Sequence, residues 1–479
     1  MQSEKGINKA RNGEIHSTCA RIENIASKWE DEGMANSTLL DVFTSEQVTH
    51  IENDAVVLLQ EMIRIPSVNF GEGKGDEKAV AEYVASKLAE VGIDSEFVIS
   101  EGNRWSVVAR IPGTDTTRSG LVVHGHIDTV PADPKDWSID PWSGEIKDDY
   151  IWGRGAVDMK DGCAQFLAIA RGWKKFGYTP PRNILLIFFA DEEAGGSYGS
   201  RWMVKNRPEL FDGYNEAISE VGGYSVTITG GHRLYWIQTA EKGITWMKLT
   251  AKGTAGHGSF INKDNPVTKL ANVISRIGSY QWPNLETKTG AKFWGKIAEL
   301  VGEKYNPADT SSLHKHVGSA GRSMAATVQT TANPTQLDAG YKANVIPQVA
   351  TAVVDGRFLP GHEETLMKTM KDLVGDDAEI EMLVRDKALE VDFAGPLVDA
   401  MCAAILSEDP DGILVPYVMS GGTDNKALSD IGITGYGFSP LRLPAELDFF
   451  ALFHGVDERV PVDGLKFGVR SLLHFLHHC

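Results

Sequence analysis

The stretch Leu-Val-Val-His-Gly-His-Ile-Asp-Thr-Val-Pro, residues 121–131, joins an apolar run directly to a turn that carries imidazole and carboxylate groups. The apolar residues 121–123 predict a short buried β-strand. Imidazole nitrogen and carboxylate oxygen both bind metal ions such as Zn²⁺, and a second carboxylate can orient the imidazole. This stretch therefore predicts a metal site at the end of a strand.

Strand-like and helix-like patterns alternate around this stretch. Predicted strands cover residues 105–111, 121–123, 184–190 and 217–219, and predicted helices cover residues 160–176 and 200–206. This order and spacing is typical of βαβ units that form a largely parallel central sheet flanked by helices. We therefore predict an α/β fold in which ligands gather beyond the carboxyl ends of the strands.

A different pattern begins near residue 240. Strands at 244–251, 350–358 and 379–384 and helices at 266–280 and 363–373 predict a smaller α+β, ferredoxin-like unit. After about residue 390 the first pattern resumes. We therefore expect a polar appendage at 1–44, a main domain in two parts at 45–239 and 391–479, and an inserted domain at 240–390.

Composition narrows the partners and the compartment. A net charge of −18 and a pI near 5.2 argue against nucleic acid or an anionic membrane as the main partner. No apolar stretch of about 18 residues and no signal-peptide pattern occurs, so we expect a cytoplasmic protein. Cys19, Cys163, Cys402 and Cys479 lack paired spacing, which argues against a disulfide framework and against a thiolate zinc site.

Four later segments also place acids or histidine in turns. Asp158 lies in the glycine-flanked segment Gly-Arg-Gly-Ala-Val-Asp-Met-Lys, residues 153–160. Three acids, residues 191–193, follow one predicted strand, and Glu220 follows another, while His454 lies in a loop near the carboxyl end. Adjacent buried carboxylates repel one another unless a cation or a retained proton relieves them. The pattern favours bound cations.

In this order and combination the five segments resemble the M20 family of zinc metallopeptidases and amidohydrolases, which includes carboxypeptidases, dipeptidases, aminoacylases and desuccinylases. The resemblance extends from about residue 50 to the end of the chain. It implies two metal ions, one held by His126 and Glu220, the other by Glu193 and His454, with Asp158 bridging them. Such a ligand set suits Zn²⁺, with Co²⁺ or Mn²⁺ as substitutes.

Chemical reasoning assigns two further roles around these ligands. Attack of water on an amide needs a base that takes the proton and delivers it to the departing nitrogen. Glu192 is adjacent to a ligand without being required as one, so we predict that it is this base. Asp128 is predicted to orient His126.

The resemblance also implies residues that bind the substrate. His257 would reach across a homodimer from the inserted lid and dimerisation domain and stabilise the oxyanion. Asn344 would also bind the substrate. Arg357 would bind a substrate carboxylate, for which a guanidinium is suited. Gly421, Gly422 and Thr423 would line the substrate pocket through their backbone.

Simpler interpretations stand beside several of these assignments. His124 shares the strand with His126, but the acid two residues after His126 favours the latter as ligand. Arg357 could instead pair with Asp355 or Glu381, and Asn344 could be an ordinary turn residue. We interpret the histidines at 474, 477 and 478 as a solvated cationic cluster at the end of a helix.

The resulting functional prediction is a dinuclear zinc hydrolase that cleaves an amide or peptide bond next to a free carboxylate. Its substrate would be a small peptide or an N-acyl amino acid, and Glu220 favours carboxypeptidases and acylamino-acid deacylases by resemblance. Aromatic residues Trp282, Trp294 and Tyr305 could line an acyl pocket or pack in a core. The alternative is an inactive metal-binding or interaction protein on the same scaffold.

Overall fold

The computed structural model describes residues 39–71 and 73–479. Most of the appendage expected at 1–44 therefore lies outside the described residues, as does Cys19. The helices are α1 Leu39–Val42, α2 Ser45–Ile63, α3 Lys78–Ala89, α4 Lys160–Phe176, α5 Ser200–Asn206, α6 Pro266–Ser279, α7 Lys288–Val301, α8 Ser311–His314, α9 Gly321–Met324, α10 Glu363–Val374, α11 Pro396–Glu408, α12 Asn425–Ser429 and α13 Val462–His478.

The strands number 19 in the described part of the chain. They are β1 Ser95–Glu101, β2 Arg104–Ile111, β3 Gly120–His126, β4 Ile146–Lys147, β5 Tyr150–Trp152, β6 Ile184–Phe189, β7 Tyr214–Ser219, β8 Tyr224–Thr227, β9 Arg233–Glu241, β10 Gly243–Lys252, β11 Gly256–His257, β12 Thr331–Ala339, β13 Val345–Ile346, β14 Val349–Phe358, β15 Glu379–Asp386, β16 Leu389–Glu390, β17 Ile413–Met419, β18 Thr434–Gly437 and β19 Arg459–Pro461.

A ten-stranded sheet forms the centre of the molecule, with the order β1-β2-β6-β3-β7-β18-β9-β16 and with β8 and β17 also paired to β9. Its middle strands β6, β3, β7 and β18 run parallel. Every residue of β3 and β6 is buried, because helices cover both faces of a parallel sheet. The predicted α/β fold with a largely parallel sheet is therefore confirmed.

Helices α2, α4 and α13 pack together on one face of this sheet. A capping box starts α2, in which Thr44 and Gln47 satisfy each other's backbone N–H groups. The other face has its own apolar cluster, which includes Met203 of α5 and Leu428 of α12. The two layers leave the edge at the carboxyl ends of the parallel strands for polar residues.

A second, four-stranded antiparallel sheet has the order β12-β14-β10-β15. Its inward residues, such as Met247, Leu249 and Val354, form a separate core with α6 and α10. The opposite face carries half-buried and exposed side chains, among them Trp246 and Arg357. This unit lies within the range predicted for the insertion, and its movement as a lid stays a prediction.

Residues 285–330 lie inside the range predicted for the insertion, yet much of this segment packs on the main core. Phe293, Trp294 and Ile297 of α7 belong to the same apolar cluster as Trp236 of β9. The rings of Trp236 and Phe293 meet edge to face with centroids 4.9 Å apart. This stretch therefore contributes to the main unit, although it lies between two strands of the smaller sheet.

Within residues 39–71 and 73–479, we find no helix whose length and apolar character would suit a membrane span.

Candidate active site

Three neighbouring parallel strands end at the same edge of the central sheet. β3 ends with His126, β6 is followed by residues 191–193, and β7 is followed by Glu220. Since parallel strands direct their carboxyl ends to one edge, the imidazole and the acids meet there. This is the location that the sequence predicted for a metal site.

The first group of ligand-type atoms consists of His126, Asp158 and Glu220. His126 Nε2 lies 3.1 Å from Asp158 Oδ1 and 3.3 Å from Glu220 Oε2. His126 is fully buried. One imidazole and two carboxylates are a typical partial ligand set for Zn²⁺.

The second group consists of Asp158, Glu193 and His454. His454 Nε2 lies 3.0 Å from Glu193 Oε2 and 3.3 Å from Asp158 Oδ2. Asp158 therefore presents Oδ1 to one group and Oδ2 to the other. A carboxylate in this position can bridge two cations.

The electrostatics of these groups fit positive ions. Burial, reinforced by the charge of Asp158, raises the pKa of Glu193 to about 7. Hydrogen bonds to Asp158 and Glu193 raise the pKa of His454 to about 10. The second carboxylate oxygen of Glu193, Oε1, is buried without a hydrogen-bond partner. A bound cation would give this unpaired carboxylate oxygen a partner. It would also replace the protons that these crowded groups retain.

Glu192 lies beside the first group but belongs to neither group. Its Oε2 is 3.9 Å from His126 Nε2. Burial raises the pKa of Glu192 well above its ordinary value, and the negative charge of Glu220 adds to the effect. A raised pKa makes a carboxylate a stronger base, which suits a group that accepts a proton and later returns it.

Asp128 holds more than the imidazole for which it was predicted. One of its oxygens lies 3.4 Å from His126 Nδ1. The backbone N–H groups of Glu192 and Glu193 donate to the same carboxylate at 3.2 and 3.1 Å. The backbone carbonyl of Asp128 also lies 3.0 Å from His126 Nδ1, so Asp128 contacts the first histidine, the predicted base and one predicted ligand together.

Behind Asp128 lies a buried polar network that the sequence did not indicate. Asn69 Nδ2 donates to Asp128 Oδ2 at 2.9 Å and to Asp191 Oδ1 at 3.0 Å. Arg104 donates to Asn69 Oδ1 at 3.1 Å and pairs with both Asp191 and Glu77. No local spacing connects these residues, because they come from four separate parts of the chain.

Asp424 is a further acid near the site, and the sequence analysis did not identify it. It is buried, and burial raises its pKa to about 7. The negative charge of Asp424 contributes to the raised pKa of Glu192, and the negative charge of Glu220 contributes to that of Asp424. Its position directly after Gly421, Gly422 and Thr423 was the signal available in the sequence.

The predicted substrate residues are not all brought to the acids within one chain. His257 is exposed and bonds to Ser259 at 2.7 Å. Exposed Asn344 lies beside it, since the carbonyl of Asn344 accepts the N–H of Gly258 at 2.9 Å. His257 and Asn344 therefore form one small cluster on the second sheet's side.

Arg357 and the glycine-rich turn have other partners. Arg357 donates to both oxygens of Asp355, at 2.7 and 3.0 Å, which is the simpler interpretation given above. Thr423 donates through its backbone and hydroxyl to buried Glu241 at 3.0 and 2.7 Å. Gly422 is in close contact with Lys426, where a Cβ would lie 2.6 Å from Nζ. His124 bonds to Asn425 and not to the acids.

Comparison with known proteins identifies the family. Residues 122–478 match the model of peptidase family M20/M25/M40. The chain belongs to this family. It is accordingly a metal-dependent amidohydrolase or exopeptidase.

Individual M20 relatives cover nearly the whole chain. Aminoacylase-1 of Homo sapiens is 27% identical over 418 residues, which are 85% of this chain and 91% of the relative. The N-fatty-acyl-amino acid synthase/hydrolase PM20D1 of Xenopus tropicalis is 26% identical over 446 residues, 88% of this chain and 85% of the relative. The M20 metallo-carboxypeptidase Sso-CP2 of Sulfolobus solfataricus shares the fold with a TM-score of 0.67 at 20% identity, covering 89% of this chain and 99% of that one.

Proposed function

We propose that this M20 protein is a dinuclear zinc hydrolase that cleaves an amide or peptide bond next to a free carboxylate. The observation that carries the proposal is Asp158, whose two oxygens face two separate groups, each with a histidine and a second carboxylate. Zn²⁺ suits this donor set best, and Co²⁺ or Mn²⁺ would substitute. When bound, the two ions would supply Lewis-acid polarisation of the scissile carbonyl.

The protein's own groups would move the proton. Glu192 is placed beside the first group without being one of its ligands. As general base it would take a proton from the attacking water and then deliver it to the departing nitrogen. Asp128 would keep Glu192 in place through the backbone N–H bond described above. The intact Glu192 also argues against the alternative of an inactive scaffold.

Arg357 is the residue we propose for the substrate carboxylate. Its guanidinium is now held by Asp355, so binding would exchange one carboxylate partner for another. Trp246 lies opposite Asp355 on the open face of the second sheet and is 42% exposed. An apolar acyl group or side chain next to the bound carboxylate would cover this ring.

The names of the relatives support the same substrate class. Aminoacylase-1 and the N-fatty-acyl-amino acid hydrolase act by name on acylated amino acids, and Sso-CP2 is named a carboxypeptidase. All three names refer to substrates or products that carry a free carboxylate. The aromatic residues considered earlier are less suited than Trp246 to contact an acyl group. Trp294 is fully buried, and Trp282 and Tyr305 are partly buried against the two cores.

We also propose a homodimer formed through the second sheet. Strand β12 is an edge strand with exposed residues along most of its length. Phe260, Leu337 and Tyr341 are large exposed apolar residues of the same unit. A partner on this side would bring its His257 and Asn344 towards the acids, where His257 would stabilise the oxyanion.

A reducing, cytoplasmic location is proposed as well, supported by the free thiols of Cys163, Cys402 and Cys479.

The first test combines metal removal with a substrate panel. Dialysis against a chelator is expected to abolish hydrolysis of N-acyl amino acids or dipeptides, and added Zn²⁺ is expected to restore it. Each substrate is compared with its carboxamide, which lacks the negative charge. Loss of a charge-assisted hydrogen bond should lower kcat/KM by about 10–100-fold. Activity that survives complete metal removal, or equal rates for acid and amide, would contradict the proposal.

A further inference from the structure

A buried ion pair outside both ligand groups connects two of the proposed metal ligands. Arg154 lies four residues before Asp158, and Glu458 lies four residues after His454. Both side chains are almost fully buried, with Arg154 3% exposed and Glu458 0% exposed. Arg154 Nη1 donates to Glu458 Oε2 at 2.6 Å. The pair therefore joins segments that are about 300 residues apart in the chain.

Glu458 organises the turn that carries Asp158. Its Oε1 accepts the backbone N–H groups of Val157 and Asp158 at 2.8 and 3.2 Å. Its Oε2 accepts the N–H of Gly155 at 3.1 Å in addition to the guanidinium. Four donors thus converge on one carboxylate, and three of them are backbone groups of the turn itself. The direction in which the Asp158 side chain leaves this turn depends on these hydrogen bonds.

Arg154 organises the loop that carries His454. Its Nη2 donates to the carbonyl oxygens of Gly455 and His454, at 2.9 and 3.4 Å. The guanidinium also stacks on Trp137, with its central carbon 5.1 Å from the ring centroid. One edge of the planar group therefore binds Glu458 while the other binds the loop backbone. A lysine ammonium is a single point charge and cannot span both.

We infer that Arg154 and Glu458 are positioning residues that set the distance between the bridging carboxylate and the distal histidine. This inference rests on the proposed dinuclear function. Neither residue would touch the metal ions or the substrate. They act by holding Asp158 and His454, the two residues of the second group that come from distant parts of the chain, in one rigid frame.

The two residues have different expected effects on the two ions. Arg154 contacts the backbone of the His454 loop, and His454 belongs only to the second group. Replacing Arg154 with lysine, which keeps a cation beside Glu458 but loses the contact with the loop, should therefore weaken the second ion and spare the first. Glu458 contacts the turn of Asp158, which belongs to both groups. Replacing Glu458 should weaken both ions.

The primary test is Arg154→Lys in the full-length protein, followed by titration with Co²⁺ and detection by its visible absorbance. Wild type is expected to bind two Co²⁺ ions. In the variant, the dissociation constant of one ion should rise by about 10–100-fold, the usual effect of removing a group that supports a ligand. The other ion should keep its affinity, and excess Co²⁺ should restore kcat.

Arg182→Lys is the matched control. Arg182 is as buried as Arg154, pairs with Glu216 and donates to the carbonyls of Ser119 and Gly120. It lies at the opposite end of β3 from His126. Both variants should lower the midpoint of thermal unfolding, but Arg182→Lys should retain both ions with wild-type affinity. A merely structural role for Arg154 would make the two variants alike.

Glu458→Gln provides a second variant. Its amide would direct an NH₂ group at N–H donors of the turn or of Arg154, so both ions should bind more weakly. Wild-type affinity for both ions in Arg154→Lys would overturn this inference and leave the dinuclear proposal intact. A wild-type protein that binds fewer than two Co²⁺ ions would overturn the dinuclear proposal itself, and this inference with it.

Discussion

At the scale of single residues, neighbours in the chain have different surroundings. Glu192 and Glu193 are adjacent and both donate their backbone N–H to Asp128. Only Glu193 joins a ligand group with His454, whereas Glu192 stands 3.9 Å from the first histidine. The 3₁₀ turn that they start bends the chain, so the two side chains point to different parts of the site.

A pair of substitutions separates these two roles. Glu192→Gln keeps the size of the side chain but removes the base, so kcat should fall by about 10²–10⁴-fold. Metal content, measured by elemental analysis, should stay at the wild-type level. Glu193→Gln should instead lose the second metal ion. Metal loss in Glu192→Gln would mean that the base and the ligand have been exchanged.

At the scale of elements, packing of the last turn of helix α13 changes the charge of one histidine. The sequence interpretation of a solvated cationic cluster at the end of α13 is wrong for His474, which is 7% exposed. Burial lowers the pKa of His474 to about 4, and the charges of His478 and His477 add to the effect. The ring Nδ1 of His474 also lacks a hydrogen-bond partner. His474 is therefore neutral in the folded protein at neutral pH.

This neutral histidine predicts a loss of stability in acid. The folded pKa lies below the unfolded value of about 6.5, so the unfolded chain binds the proton more tightly. The contribution of His474 is fully present above pH 6.5 and falls as the pH drops towards 4, where the loss reaches about 3 kcal/mol. His474→Gln should flatten this part of the curve when urea unfolding is measured between pH 4 and 7. An unchanged slope would contradict the prediction.

The sequence analysis did not identify β9 and β17, and each strand has its own physical reason. β17 contains Pro416, which argues against a strand, but β17 pairs only with β9 and is an edge strand, where proline is tolerated. β9 buries polar residues such as Gln238 and Glu241, so its pattern is not that of an apolar strand. By contrast, β6 is a continuous apolar run and was identified directly, whereas in β3 only the apolar residues 121–123 were identified and the part that contains the two histidines was not.

At the scale of the whole molecule, two residues predicted to bind the substrate lie apart from the acids. Within one chain, the segments that carry His257 and Asn344 contact each other, and the hydrogen bonds of these segments do not reach the acids. Both lie on the second unit, which also carries the exposed edge strand β12. A homodimer would allow the His257 of one protomer to serve the acids of its partner.

Mixing two inactive variants tests this arrangement. In a dimer of Glu192→Gln with His257→Ala, one of the two sites has an intact Glu192 and receives an intact His257. Random exchange of subunits should therefore restore about one quarter of the wild-type activity. A mixture of Glu192→Gln with Glu192→Ala is the control and should stay inactive. If the first mixture also stays inactive, or if light scattering finds an active monomer, His257 does not act across a dimer.

The sequence by itself determined the parallel sheet and the turns that carry acids or histidine, because these follow local apolar patterns or lie in short motifs, and the resemblance to the M20 family then selected the five candidate ligands His126, Asp158, Glu193, Glu220 and His454. Only the tertiary structure gave the distances within the two groups that the resemblance implied, and only it showed that Arg154 meets Glu458. It also decided that α7 packs on the main core. The physical reason is that burial and hydrogen bonds between distant segments depend on packing, which no local pattern records.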